Sequence, residues 1–123
     1  MDIKTGYFAK TKYYIELGYK PLGIVQFRPK WYSGDNLKAY APSLELFNAY
    51  KNNKISSEEF CLRYKEQIDN YTLKYFKQKI GEYERQGVDK IVLLCFEKST
   101  DICHRHILAR KITEELGIEC TEL

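Results

Sequence analysis

Between Cys95 and Arg105 the chain reads CFEKSTDICHR, which sets two cysteines, two carboxylates, a histidine and an arginine directly after its most apolar run. Glu97 has the chemistry of a general acid or base, Cys103 with His104 that of a nucleophile and its proton acceptor, and Arg105 can grip an anion with its planar fork. A thiol that opens a helix beside basic side chains has its thiolate stabilised, so Cys103 is the cysteine expected to react. The plainer alternatives are a structural ion pair of Arg105 with Glu97 or Asp101, and a small-core-residue role for Cys61, Cys95 and Cys120. A zinc site built from Cys95, Glu97, Cys103 and His104 ranks lower, because Cys-x7-Cys-His lacks the paired CxxC spacing of structural zinc sites. No cofactor is therefore expected, with zinc as the alternative. The chain contains no Walker loop, GxGxxG, HExxH or GxSxG.

These residues need elements to position them. KIVLLCF, Lys90 to Phe96, is a continuous apolar run, as expected of an interior strand of a parallel sheet covered on both faces. A helix is predicted from about Cys103 to Leu116, stopped by Gly117, with Leu108, Ala109, Ile112 and Leu116 as its buried stripe. Arg105 falls on that stripe and should point inward, His104 lies on its border, and His106 faces solvent. The strand thus carries Cys95 and Glu97 to its carboxyl end, the edge of an open α/β sheet where ligands bind.

Upstream, strands are expected at Ile3 to Phe8 and Pro21 to Phe27, with a short helix from Lys10 to Leu17 between them. Arg28 to Pro42, RPKWYSGDNLKAYAP, reads as a long binding loop. Ser43 caps a helix carrying Leu44 and Phe47 on one face. Ser56 and Glu59 form a capping box for a second helix with Phe60, Tyr64 and Ile68 on its core side, and Leu73, Phe76, Ile80 and Tyr83 mark a third. A last strand is expected within Ile118 to Glu122. The expected fold is α/β, a small, mainly parallel sheet flanked by helices, with Arg28 and Glu97 at the same edge.

The chain has 123 residues, enough for one core, so we read residues 1–123 as a single domain. A net charge of +3 permits anionic partners without demanding them. No apolar run is long enough to cross a bilayer, and MDIKTGYFAK lacks a secretory signal. The cytoplasm and reduced thiols are the expectation, and no membrane partner is foreseen.

An apolar strand ending in Cys95-x-Glu97, a short loop, and CHR (Cys103, His104, Arg105) opening a helix resemble the C-terminal signature of the domain of unknown function 488 family. Gln26, Phe27, Arg28 and Pro29, with the downstream Tyr40, Ala41, Pro42 and Ser43, resemble that family's first sheet strand and helix start, so the likeness spans essentially the whole chain. The resemblance implies a small α/β fold and a bacterial, archaeal or phage origin, with no settled activity. Its signature positions carry over to Arg28, Cys95, Glu97, Cys103, His104 and Arg105. Many members have Asp where this chain has Gln26, and an acid-base role for that Asp is absent here.

Two functions follow, with a third as the bland alternative. The first is an anion-binding, catalytic site at the sheet's carboxyl edge, acting on a nucleotide or phosphorylated small molecule. Arg28 and Arg105 would clamp the anion there, with Glu97, Cys103 and His104 as the catalytic groups. The second is a nucleotide or single-stranded nucleic-acid binding module, in which the bases and aromatics of KTKYY and RPKWY, Trp31 and Tyr32 above all, stack on bases. The third is an accessory scaffold whose polar edge is an ion-pair network.

Overall fold

Four consecutive apolar side chains, Ile91 to Leu94, leave strand β4 (Lys90–Cys95) no solvent face, and the fold covers both of its sides. A computed structural model describes residues 1–71, 73–96 and 104–123. In it β4 pairs in parallel with β1 (Asp2–Tyr7) on one side and β2 (Lys20–Gly23) on the other. Outside these lie β5 (Cys120–Glu122), parallel to β1, and β3 (Asp35–Asn36), parallel to β2, giving the order β3-β2-β4-β1-β5. The expected α/β sheet is thus present, and all its strands are parallel. Register brings Tyr7 opposite Cys95.

Side-chain alternation divides the core in two. Ile3, Leu22, Ile24, Ile91 and Leu93 face the helices α3 (Ser57–Asp69), α4 (Lys74–Arg85) and α5 (His104–Leu116). Val92 and Leu94 face the other way, onto Phe8, Val25, Tyr32 and Tyr14 of the short α1 (Thr11–Glu16). Tyr14 lies flat against the backbone of Gly6, where a Cβ would meet its ring at 2.5 Å, so only glycine admits this approach. The chain leaves β1 by α1 on one face to reach β2, and leaves β4 by α5 on the other face to reach β5. These two connections run past each other on opposite faces; connections diverge instead between β2, which leads outward to β3, and β4, which leads the other way to β5, and the carboxyl ends of that pair are the switch point of the sheet.

The predicted caps are seen: Ser43 Oγ accepts from Leu46 N at the start of α2 (Leu44–Lys51), and Ser56 Oγ from Glu59 N. Phe60, Tyr64, Ile68, Phe76, Ile80 and Tyr83 are buried as expected. Three expectations need correction. In α2 it is Leu46 that is buried while Leu44 is exposed and Phe47 half-buried, because the face of the helix turned to the core is centred on Leu46. Strand β2 ends at Gly23 instead of Phe27. Ile24 N still donates to Leu94 O, but the Asn36 side chain then takes over, accepting from Val25 N at 3.1 Å and donating to Val25 O at 2.9 Å. The loop from Arg28 to Pro42 is also less irregular than its composition suggests, since β3 and a 3-10 turn (Lys38–Tyr40) lie within it. Among the described residues, no helix is long and apolar enough to cross a membrane.

Candidate functional site

The first turn of α5 delivers His104 and Arg105 to the carboxyl edge of the sheet, and both are buried. Arg105 has no exposed surface. Its Nε and Nη2 donate to Oε1 and Oε2 of Glu122 at 3.1 and 2.9 Å, a bidentate fork, and Nη1 donates to Cys95 Sγ at 2.8 Å. The guanidinium also lies over the Tyr7 ring, 6.0 Å from its centroid. Glu122 accepts further from Thr5 Oγ1, and His106 Nε2 lies 3.3 Å from its Oε1. Burial pushes the Glu122 carboxyl up, but Arg105, Thr5 and His106 outweigh it and hold the carboxyl below its ordinary range.

Arg105 therefore points inward, as its place on the stripe predicts, while Glu122 of β5 is a partner the sequence reading did not consider. In β5 the side chains of Cys120 and Glu122 share one face, and Cys120 packs on the core. A carboxylate two residues on is thereby aimed at α5. His106, expected in solvent, is half-buried and turned toward this carboxylate.

His104 is 5% exposed and its Nε2 lies 2.6 Å from Ile24 O, so the proton sits on Nε2 and is donated to that carbonyl. Its ring meets Tyr64 edge-on at 5.2 Å. Burial first, then the charges of Arg105 and His106, lower its pKa to about 4 against the raising effect of the Ile24 bond, so the imidazole is neutral at pH 7. Tyr64 is held in turn by donating to Tyr40 O, and Gln67 fixes the same segment by donating to Ala41 O and accepting from Ser43 N.

The remaining candidates separate. Glu97 and Cys103 lie outside the described residues. Arg28 is exposed and donates to Gly34 O at 3.0 Å. Trp31 is 63% exposed, whereas Tyr32 is buried against Phe8 and donates to Asp35 O, its phenol pushed up to about 12, chiefly by burial. The expectation of reduced thiols fails at Cys95, which is disulfide-bonded, while Cys61 and Cys120 are free. Reasoning from compartment sets only a default and carries no information about which sulfurs the fold brings together. Burial raises the Cys61 thiol and pushes Cys120 up to about 12. Iodoacetamide at pH 7 should accordingly label both slowly in the folded protein and leave Cys95 untouched until a reductant is added. Carbamidomethylated Cys95 in tryptic digests of unreduced protein would refute the disulfide.

Beside His104, between the ends of β2 and β4, opens a cavity of about 360 Å³. Phe27, Phe47, Tyr50, Phe60 and Phe96 wall it, and Gln26 and Lys51 bring polar groups to it. Gln26 drew notice in the sequence only as a departure from the family's Asp, and Lys51 drew none, because the segment after β2 and the last turn of α2 are brought together only by the fold. Among the described residues, no group of three or more His, Cys, Asp or Glu side chains gathers as a metal site would require.

Searches of curated proteins and of solved structures each return no match. A family model described as the active DUF488-N3 subclade matches residues 19–116, a span from the start of β2 to the end of α5 that takes in the cavity walls, His104 and Arg105. With four-fifths of its length so matched, the chain belongs to the domain of unknown function 488 family.

Proposed function

We propose that the carboxyl edge of the sheet is an anion-binding site for a nucleotide or phosphorylated small molecule. The observation that supports this most is the cavity beside His104 at the carboxyl ends of β2 and β4, which has a lysine among the described residues that line it. Lys51 supplies the positive charge, and the exposed Arg28 follows from the same strand end. Arg105, held by Glu122 and Cys95, acts as a positioning residue that sets the first turn of α5. In the catalytic form of this reading, Glu97 is the general acid or base and Cys103 with His104 the nucleophile pair. Once the protein is reduced, Cys103 should then be the first cysteine to label.

The test is a thermal-shift panel of inorganic phosphate, ribose 5-phosphate and nucleoside monophosphates against sodium chloride at matched ionic strength. A ligand at a hundredfold excess over its Kd stabilises by about 2.7 kcal/mol, a readily measured rise in Tm. A panel in which no anion exceeds the chloride control overturns the reading.

A second reading has its own support. The segments KTKYY and RPKWY meet on the α1 face, where a groove is lined by Lys12 and Ile15 together with Trp31 and Tyr32, and Tyr13 is 52% exposed nearby. Exposed rings among lysines suit single-stranded nucleic acid. Trp31 is the one tryptophan, so an oligonucleotide that stacks there quenches its fluorescence, and an unchanged spectrum at saturating oligonucleotide sinks this alternative.

A further inference from the structure

Resting on the anion-site reading, we propose that the cavity beside His104 is a ring-binding subsite, built for a planar heterocycle of the nucleobase class that presents an N–H donor to Gln26.

The wall chemistry argues for a flat ring. Phe27 and Phe47 meet edge-to-face at 5.8 Å, and Tyr50 and Phe60 are stacked at 4.6 Å, so the surfaces offered are faces and edges of rings already braced against one another. Aromatic rings prefer offset-stacked and edge-on neighbours, geometries that a further planar ring satisfies without distortion. The volume of about 360 Å³ lies at the small end of ligand cavities, suited to a ring system with its substituents. Phe27 and Phe96 are 55% and 51% exposed, and together they leave apolar surface in water that an inserted ring would cover.

The polar groups set which ring. Gln26 Nε2 donates to Pro42 O at 2.9 Å, and since a carbonyl can only accept, the amide orientation is fixed by that bond. Gln26 Oε1 is left as the acceptor this side chain offers, so its complement is an amino or ring N–H on the ligand. Pro42 is itself held in place, because Gln67 grips its two neighbours, donating to Ala41 O and accepting from Ser43 N. The acceptor is thus carried on a braced support, as discrimination by a single hydrogen bond requires. Lys51 reaches over the Phe47 ring, its Nζ 5.8 Å from the centroid, and provides the charge for an anionic substituent on the same ligand.

Isothermal titration of the full chain with adenosine, N6,N6-dimethyladenosine, ribose 5-phosphate and adenosine monophosphate separates ring from anion. Adenosine should bind, its dimethylated form about tenfold more weakly through loss of the donor, and Gln26→Met should erase that difference. Phe96→Ser should weaken adenosine several-fold. Because Phe96 is half exposed, that variant keeps the test open if Gln26→Met fails to fold. Binding of ribose 5-phosphate without adenosine, or equal binding of the two adenosines, overturns the ring subsite and leaves the anion site standing. Binding of adenosine without any gain from the phosphate overturns the anion reading alone, and no binding by any of the four overturns both.

Discussion

Replacing Arg105 by Met should lower the free energy of unfolding by about 3–5 kcal/mol, the usual cost of removing one partner from a buried pair. Met keeps much of the apolar stem, so the loss reports the charge and its forked donors. Those donors hold Glu122 and Cys95, and the side chain of Glu122 is only 25% exposed, so its carboxylate is left poorly solvated beside Thr5. Lys at this position should recover little, because it lacks the planar fork that meets both oxygens. Replacing Glu122 by Leu together with Arg105 by Met should recover part of the loss by removing the stranded charge. Urea unfolding of the wild type, the two single Arg105 variants and the double variant measures each term. A loss below about 1 kcal/mol for Arg105→Met, the size expected of an open and solvated site, would mean that the bidentate pair carries no stability.

The second large effect is a pH dependence centred on His104. Its folded pKa of about 4 lies below the ordinary 6.5, so between these values the unfolded chain binds a proton that the folded protein refuses. Stability from this group is fully present above pH 6.5 and is lost as pH falls toward 4, by about 3 kcal/mol in all, with no further loss below. Gln in its place can still donate to the Ile24 carbonyl and does not titrate, so His104→Gln should flatten this limb. His106 is common to both proteins and cancels from the difference. Glu122, held below its ordinary 4.5, begins to lose its contribution near that pH and continues to do so below it, but it too is common to both proteins and cancels from the difference. Urea unfolding at pH 7, 5.5 and 4.5 decides the matter: parallel profiles for wild type and variant would show that His104 is not held neutral.

These two results bear on residues that the sequence brought into view for other reasons. The inward aim of Arg105 was legible because helical phase is a local property, set by Leu108 and Ile112 on the same turn system. So were the Ser43 and Ser56 caps and the stop at Gly117, whose φ of +68° suits a residue without a Cβ. The partner of Arg105 was not legible, because Glu122 reaches it only through the pairing of β5 with β1, a contact between the two ends of the chain. The cavity was hidden for the same reason. The end of β2 at Gly23 escaped notice because PLGIVQF is apolar at every position but Gln26, and what breaks the ladder is the side chain of Asn36, a mimic of backbone supplied by the neighbouring strand β3. Tyr32 read as a stacking ring beside Trp31, yet the loop that carries both turns Tyr32 into the core and leaves Trp31 in water.

The place of β1 has a kinetic consequence. The strand sits between β4 and β5, so Ile3 must wait for Ile91 to pair one of its edges and for Cys120 to pair the other. Nothing nearby in sequence can satisfy those edges, since α1 leads to β2, which itself docks only on β4 and β3. Closing such long loops costs entropy before any ladder bond repays it, which slows folding relative to a chain of local contacts. On the ribosome the early strand stays unpaired until most of the sequence has emerged. The pairing of β1 with β4, which brings Tyr7 beside Cys95 under the Arg105 guanidinium, is thus among the longest-range contacts of the sheet.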